Sequence, residues 1–285
     1  MLTPKSCPLC ESREFQKLYT IKKYKRSFEI VRCNSCKLIF QNPECWGELK
    51  DLYDKEYFEG TADFSYTRDS SIDLPIWEER VKTLERFLGK KSSGRRLLDV
   101  GCGQGDLLKA GEIRGWEAIG IDISSYAVKK AQGRGLNVKE KQLNDAEFPE
   151  KCFDVITMFE VIEHIPNPRE VLDNAYKFLR DSGLLVIQTA NIDSLRGNLR
   201  KENYYYFEPG HLVYYSFTTI KKLLEVSMFK IQKYWFGSEL SLISELKTLR
   251  NYYPWHYLIF KKPFERIKIR NISINTVMVI WAVKK

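Results

Sequence analysis

From about residue 73 onward, short apolar runs alternate with stretches whose apolar positions recur every three to four residues, the pattern of strands followed by amphipathic helices. The runs at 96–100, 118–122, 138–142, 154–159, 184–189, 230–236 and 277–283 predict seven strands. The periodic stretches at 74–88, 105–114, 125–134, 168–179 and 218–227 predict the helices between them. Alternation of this kind implies an α/β domain whose mostly parallel sheet is covered by helices. Ser124 stands where an N-cap is needed, and Asn167-Pro168 opens the next predicted helix with a first-turn proline.

The first 45 residues follow a different rule. Two β-rich stretches, 15–19 and 28–32, flank a Lys-rich turn and are bracketed by Cys7, Cys10, Cys33 and Cys36 in a C-x2-C-x22-C-x2-C arrangement. The two-residue spacers let both thiolates of a pair face one ion, and the long spacer has room for a hairpin that brings the pairs together. A segment this short cannot bury a large core and needs a staple. The expectation is a zinc ribbon over 1–45 with a structural Zn2+, because four thiolates leave no open position for a substrate. Residues 46–72, with Leu49, Leu52, Tyr53, Tyr57 and Phe58 among acids, read as a packed connector. The α/β domain then occupies 73–285, with an insertion at 238–266. The helical spacing of Leu242, Leu246, Leu249 and Tyr253 makes that insertion a lid or interface helix, or else a basic aromatic surface resting on a membrane.

Composition narrows the setting. With 44% hydrophobic and 29% charged residues the chain is too apolar for disorder and too charged for a polytopic membrane protein. The longest apolar run is Val277 to Val283, far short of the roughly 20 residues a spanning helix needs. The odd number of cysteines, 7, and a start lacking a secretory apolar stretch point to a reducing, cytoplasmic setting. The excess of 46 Lys and Arg over 37 Asp and Glu favours anionic partners.

The strongest chemical signal is Leu97-Leu98-Asp99-Val100-Gly101-Cys102-Gly103-Gln104-Gly105, a predicted strand running into a glycine-rich turn that opens a helix. A second acid, Asp122, ends the next strand. With these residues the sequence resembles class I S-adenosylmethionine-dependent methyltransferases over about 73–235 plus the final strand. The resemblance implies a Rossmann-like sheet of seven strands, mostly parallel with the last antiparallel, and S-adenosylmethionine as cofactor. It implies that Asp99, Gly101, Gly103 and Gly105 hold the methionine part and Asp122 the ribose, with Cys102, Ile123, Gln142, Leu143 and Phe159 as further lining positions. Gln142 stands where the family usually has an aspartate near adenine.

After the predicted fourth strand comes Glu160-Val161-Ile162-Glu163-His164. This E-x-x-E-H segment resembles that of ubiquinone-biosynthesis O-methyltransferases. The resemblance implies either a divalent cation such as Mg2+ on Glu160, Glu163 and His164 or a segment that only shapes the pocket. His211, in a Gly-flanked loop after the fifth strand, is the candidate general base, with His164 as a second catalytic candidate. The tyrosine cluster 204–206 either stacks on a ring of the acceptor or packs the lid. The whole-chain arrangement resembles methyltransferases of surface-polysaccharide and sugar pathways. That implies O-methylation of a small-molecule or glycan acceptor that is phosphate- or lipid-linked, with peripheral membrane contact. The alternative is a zinc-containing rRNA or tRNA methyltransferase, against which the basic residues are dispersed rather than clustered.

Overall fold

The structure, a computed structural model, describes residues 6–46, 55–59, 70–89, 94–238, 240, 268–269, 272–273 and 275–285. The N-terminal segment forms β1 (Phe15–Lys23), β2 (Arg26–Cys33) and β3 (Ile39–Gln41). Helices α1 (Lys55–Glu59) and α2 (Ser70–Leu88) follow. Next come β4 (Arg96–Val100), α3 (Asp106–Ile113), β5 (Glu117–Asp122), α4 (Ser125–Gly133), β6 (Val138–Glu140), β7 (Phe153–Phe159), α5 (Pro168–Phe178) and β8 (Leu179–Ala190). The chain continues through α6 (Leu195–Arg200), β9 (Val213–Tyr214), α7 (Phe217–Val226) and β10 (Phe229–Phe236). The short strands β11 (Lys268–Ile269) and β12 (Ile272–Ser273) precede β13 (Val277–Lys284).

Seven strands form one sheet in the order β10-β13-β8-β7-β4-β5-β6. The neighbours from β8 to β6 pair in parallel, while β13 runs antiparallel to both β8 and β10. All seven strands read from the sequence are present. Their core positions are covered on both faces, which is why β4 and β7 carry adjacent buried apolar residues, Leu97-Leu98 and Val155-Ile156, instead of alternating with exposed ones. The order reverses at β4: the chain steps outward to β5 and β6, then returns to place β7 on the other side. Such a switch point opens a crevice at the C-terminal strand ends.

The helices follow local rules. Helix α5 starts on Pro168 and buries Val171, Leu172, Ala175 and Phe178 along one stripe. Helix α7 opens with a capping box between Ser216 and Thr219, worth about 1 kcal/mol. Helix α2 buries Val81 and Leu84 beside Trp281, which is 2% exposed and meets the Phe87 ring at 5.0 Å. Burying that indole contributes about 2–3 kcal/mol.

Two boundaries differ from the sequence reading. Strand β6 ends at Glu140, because a 3-10 turn at Leu143–Asp145 takes over to bury Leu143. Gln142 therefore lies past the strand and is exposed. Strand β8 begins at Leu179, directly on the end of α5, because Leu179 already pairs with Phe153 ahead of an irregularity in the ladder. The predicted insertion at 238–266, with His256, lies outside the described residues apart from 238 and 240. Of the connector at 46–72, the described residues are 46, 55–59 and the start of α2.

The second sheet carries the main surprise. Its order is β1-β2-β3-β9, all antiparallel, so its fourth strand comes from far along the α/β part of the chain. Ile39 pairs with Tyr214 and Phe40 with Val213. Val31, Leu38 and Phe40 share one buried cluster with Leu212, Val213 and Tyr215 and with Ile156 and Met158 of β7. The N-terminal segment is thereby bonded and packed to the edge that carries the candidate site.

Candidate active site

The glycine turn after β4 sits at the switch point, and its three glycines play different parts. All have positive φ, at 67° for Gly101, 53° for Gly103 and 84° for Gly105. A Cβ on Gly101 would lie 2.5 Å from Val161 Cγ2, and one on Gly105 would lie 2.4 Å from Leu136 Cδ1. Those two glycines permit tight packing within the protein. Among the described residues, a Cβ on Gly103 would meet only Phe58, at 4.0 Å. Gly103 is therefore the position that faces open space, where a ligand can approach the backbone. The Phe58 ring, on α1, also lies 6.1 Å from the Tyr126 ring, and the Tyr126 hydroxyl donates to Glu59 Oε1 at 2.9 Å. Helix α1 thus stands beside the glycine turn.

The two acids of the motif are both buried. Asp122 Oδ2 accepts from the Gly103 N–H and Oδ1 from the Ser124 N–H, each at 2.8 Å. The carboxylate that the resemblance assigns to ribose therefore also holds the turn and the entry to α4. Asp99 accepts from Thr157 Oγ1 at 2.6 Å. Burial pushes the Asp99 carboxyl up to about 7, and the Asp122 charge adds to the rise. Cys102 packs inward against Gly120, whose added Cβ would lie 2.5 Å from its sulfur. Leu143 is buried, while the half-buried Phe159 ends β7.

On the opposite wall, Glu160 takes a left-handed φ of 54°, which costs a non-glycine residue about 1 kcal/mol. The strain is held by two bonds to one residue: the Glu160 N–H donates to Gln188 O at 2.9 Å, and Gln188 Nε2 donates to Glu160 Oε1 at 2.9 Å. Arg80 completes the chain. Its Nη2 donates to Gln188 Oε1 at 2.7 Å, and its guanidinium lies 4.8 Å from the Trp77 ring and 4.6 Å from the Phe159 ring. Neither Arg80 nor Gln188 was found by motif reasoning; the only signal was an arginine three positions after Trp77 in α2, which the helical pattern alone explains.

Glu163, His164 and His211 converge, and their candidate ligand atoms all lie within 4.8 Å of one another. The structure thus brings His211 to Glu163 and His164, while Glu160 is engaged by Gln188. His164 Nδ1 is 2.7 Å from Gly210 O, and His211 Nδ1 is 2.7 Å from Tyr206 O. A carbonyl only accepts, so each Nδ1 carries the hydrogen and each neutral ring keeps its lone pair on Nε2. Burial holds His211 down to about 4. Burial, helped by the neighbouring His211, holds His164 down to about 3. The two rings are 4.7 Å apart, and Tyr206 stacks on His211 at 5.4 Å. Glu163 accepts from Thr189 Oγ1 at 2.9 Å. Burial and then the charge of Glu160 push the Glu163 carboxyl well above the usual carboxylate range. The Leu212 N–H donates to Glu163 O at 2.8 Å, tying the His211 loop to the E-x-x-E-H segment.

Away from this crevice, the four thiols gather as their spacing predicts. Cys7 and Cys36 sulfurs are 3.4 Å apart, Cys10 and Cys33 3.5 Å, and all four lie within 4.8 Å of one another. A tetrahedral ion with Zn–S bonds of about 2.3 Å requires sulfurs about 3.8 Å apart, so the set fits. The two knuckles are built alike. The Glu11 N–H returns to Cys7 O and the Lys37 N–H to Cys33 O, and both residues take positive φ, at 60° and 67°. The Cys7 thiol holds Cys36 down to about 5.

Comparison with known proteins agrees with this fold. Residues 76–233 match the family model described as a methyltransferase domain, so the chain belongs to that family. The fold is that of S-adenosylmethionine-dependent methyltransferases. A crystal structure of such an enzyme from Archaeoglobus fulgidus is 25% identical, covers 73% of this chain and 94% of its own, and has a TM-score of 0.53. One from Mesorhizobium loti shares the fold at 12% identity, with 75% and 98% coverage and a TM-score of 0.52. The ubiquinone biosynthesis O-methyltransferase of Pseudomonas savastanoi pv. phaseolicola is 32% identical over 119 residues, 39% of this chain and 50% of that protein. The chain spans about half the length of the curated relatives it matches.

Proposed function

We propose that the protein transfers a methyl group from S-adenosylmethionine to a hydroxyl of a small-molecule acceptor. The observation that carries this reading is the neutral imidazole of His211, whose Nδ1–H is taken by Tyr206 O and whose lone pair is on Nε2, beside a glycine turn whose middle glycine faces open space. When bound, the cofactor supplies an activated methyl carbon. The protein's part is to align the acceptor and to take one proton. With the cofactor bound, His211 Nε2 would take that proton from the acceptor hydroxyl as its oxygen receives the methyl group. Gly210 O fixes the His164 ring beside it, and Tyr206 covers the face of His211.

The name of the ubiquinone-biosynthesis relatives supports a hydroxyl acceptor. The finer reading, a sugar hydroxyl of a phosphate- or lipid-linked glycan, rests on the positive charge and on Tyr205 and Tyr206, while Tyr204 is buried in the core. Zn2+ in the four-cysteine site is part of the same proposal, and holds the N-terminal sheet to β9. Among the described residues no helix is long and apolar enough to cross a membrane.

Two measurements test the base. His211→Ala should lower kcat by about 10²–10⁴ while leaving the cofactor Kd unchanged; an equal loss of cofactor affinity or of folding would assign the ring a structural part. The pH profile should also be shifted. An ordinary histidine titrates at about 6.5, so its base activity falls below that pH. With His211 held down to about 4, turnover should keep its plateau well below pH 6.5 and fall only toward 4. An acid limb at 6.5 would count against the buried base. The stability sign is the same: as pH drops below about 6.5 the unfolded chain takes up protons that the folded histidines refuse, so these two groups destabilise the fold on acidification.

A further inference from the structure

The β1–β2 turn carries Lys22, Lys23, Tyr24, Lys25 and Arg26. Tyr24 and Lys25 have φ of 52° and 57°, a two-residue turn that asparagine or glycine would adopt without strain. The tip thus keeps two long side chains where they are conformationally unfavourable. Lys22, Lys25 and Arg26 are exposed, whereas Lys23 turns back. Its ammonium donates to Tyr205 O at 3.1 Å and to Glu208 Oε1 at 3.3 Å. This docks the hairpin on the segment after β8, where the short turn Lys201–Asn203 also lies against β1.

Immediately before that turn is α6, which presents apolar side chains to solvent. Leu199 is 72% exposed and Leu195, one helical turn earlier, 40%. Tyr205, six positions after Leu199, is 42% exposed. Arg196, Arg200 and Lys201 are exposed on the same segment. The hairpin and the α6 segment are therefore neighbours, and together they carry exposed leucines, a tyrosine and six exposed cations, Lys22, Lys25, Arg26, Arg196, Arg200 and Lys201, against two exposed acids, Asp193 and Glu202.

We propose that this face docks the protein on a bilayer surface rich in anionic lipid headgroups. Cations draw it to the negative surface, and Leu195 and Leu199 enter the headgroup boundary. Two exposed leucines bring nothing to a nucleic-acid backbone, so the combination favours lipid over RNA. The face leads inward to the candidate base: Tyr205 contacts Tyr206 at 4.8 Å, and Tyr206 stacks on His211. An acceptor held in the bilayer would present its hydroxyl from this side. That last step rests on the methyl-transfer reading; the docking does not.

The test is co-sedimentation of the full chain with vesicles of phosphatidylcholine alone or of phosphatidylcholine mixed equally with phosphatidylglycerol. Binding should require the anionic lipid. It should weaken by about 10-fold or more in Lys25→Glu/Arg26→Glu, and clearly in Leu195→Ser/Leu199→Ser, with S-adenosylmethionine affinity unchanged in both as proof of folding. Absence of vesicle binding, or binding indifferent to either pair, overturns the docking and leaves the methyl-transfer reading standing. Displacement from vesicles by a single-stranded RNA oligonucleotide, with the leucine pair silent, also overturns it and assigns the cations to nucleic acid.

Discussion

Gly103→Leu should abolish measurable S-adenosylmethionine binding while the protein remains folded. Of the three glycines in the turn, Gly103 is the one whose added Cβ meets open space, apart from Phe58 at 4.0 Å. A side chain there projects into the space a cofactor needs, and its only folding cost is the left-handed backbone, about 1–2 kcal/mol. Affinity should fall by at least about 100-fold, equivalent to ~2.7 kcal/mol. Gly101→Leu makes the contrast. Its Cβ would start 2.5 Å from Val161 Cγ2, so it should push the E-x-x-E-H segment and lower stability along with affinity. Titration calorimetry beside thermal unfolding separates the two. Retained affinity in folded Gly103→Leu would remove the turn from the cofactor site.

Cys36→Ser, or removal of the metal by a strong chelator, should disorder the N-terminal sheet and the loop carrying His211 together. Three of the four thiols are buried, and the segment they staple supplies the neighbour of β9. The Gln41 N–H donates to Leu212 O at 2.8 Å, one residue from His211. For a chain of this size about 2–4 °C is lost per kcal/mol, so removing a structural zinc site should lower the melting point by at least about 10 °C. Hydrogen exchange should quicken over 204–215 as well as over 6–41, while the glycine turn stays protected and still binds S-adenosylmethionine. Quickening confined to 6–41 would show that the module is only appended. The comparison is run on the purified chain after its zinc content is measured.

Much of the catalytic half could be read from local pattern. Strands 96–100 and 154–159 carry adjacent apolar residues, Leu97-Leu98 and Val155-Ile156, rather than an alternation, because both sheet faces are covered, and α5 announces itself by Pro168 and a single apolar stripe. The cysteine pairs converge as their spacing implies. Other features had no local signal. Strand β9 is two residues long and exists only because Phe40 and Ile39 lie opposite it. Arg80 looks like any exposed arginine of an amphipathic helix until α2 places it against Phe159 and Gln188.

The candidate site divides the same way. Periodicity, the glycine spacing and the paired thiols are properties of neighbouring residues, so the chain by itself determined the sheet, the glycine turn and the four-sulfur cluster. Which carboxylate stands with which histidine was decided by tertiary structure: Glu160 is drawn to Gln188, and His211, 47 positions beyond His164, comes to Glu163 through the Leu212 bond and β9. These pairings are set by where distant strands end, and by which buried polar atoms must find partners there. Short contacts between residues far apart in sequence leave no period to read, and they become visible only when the fold brings both ends together.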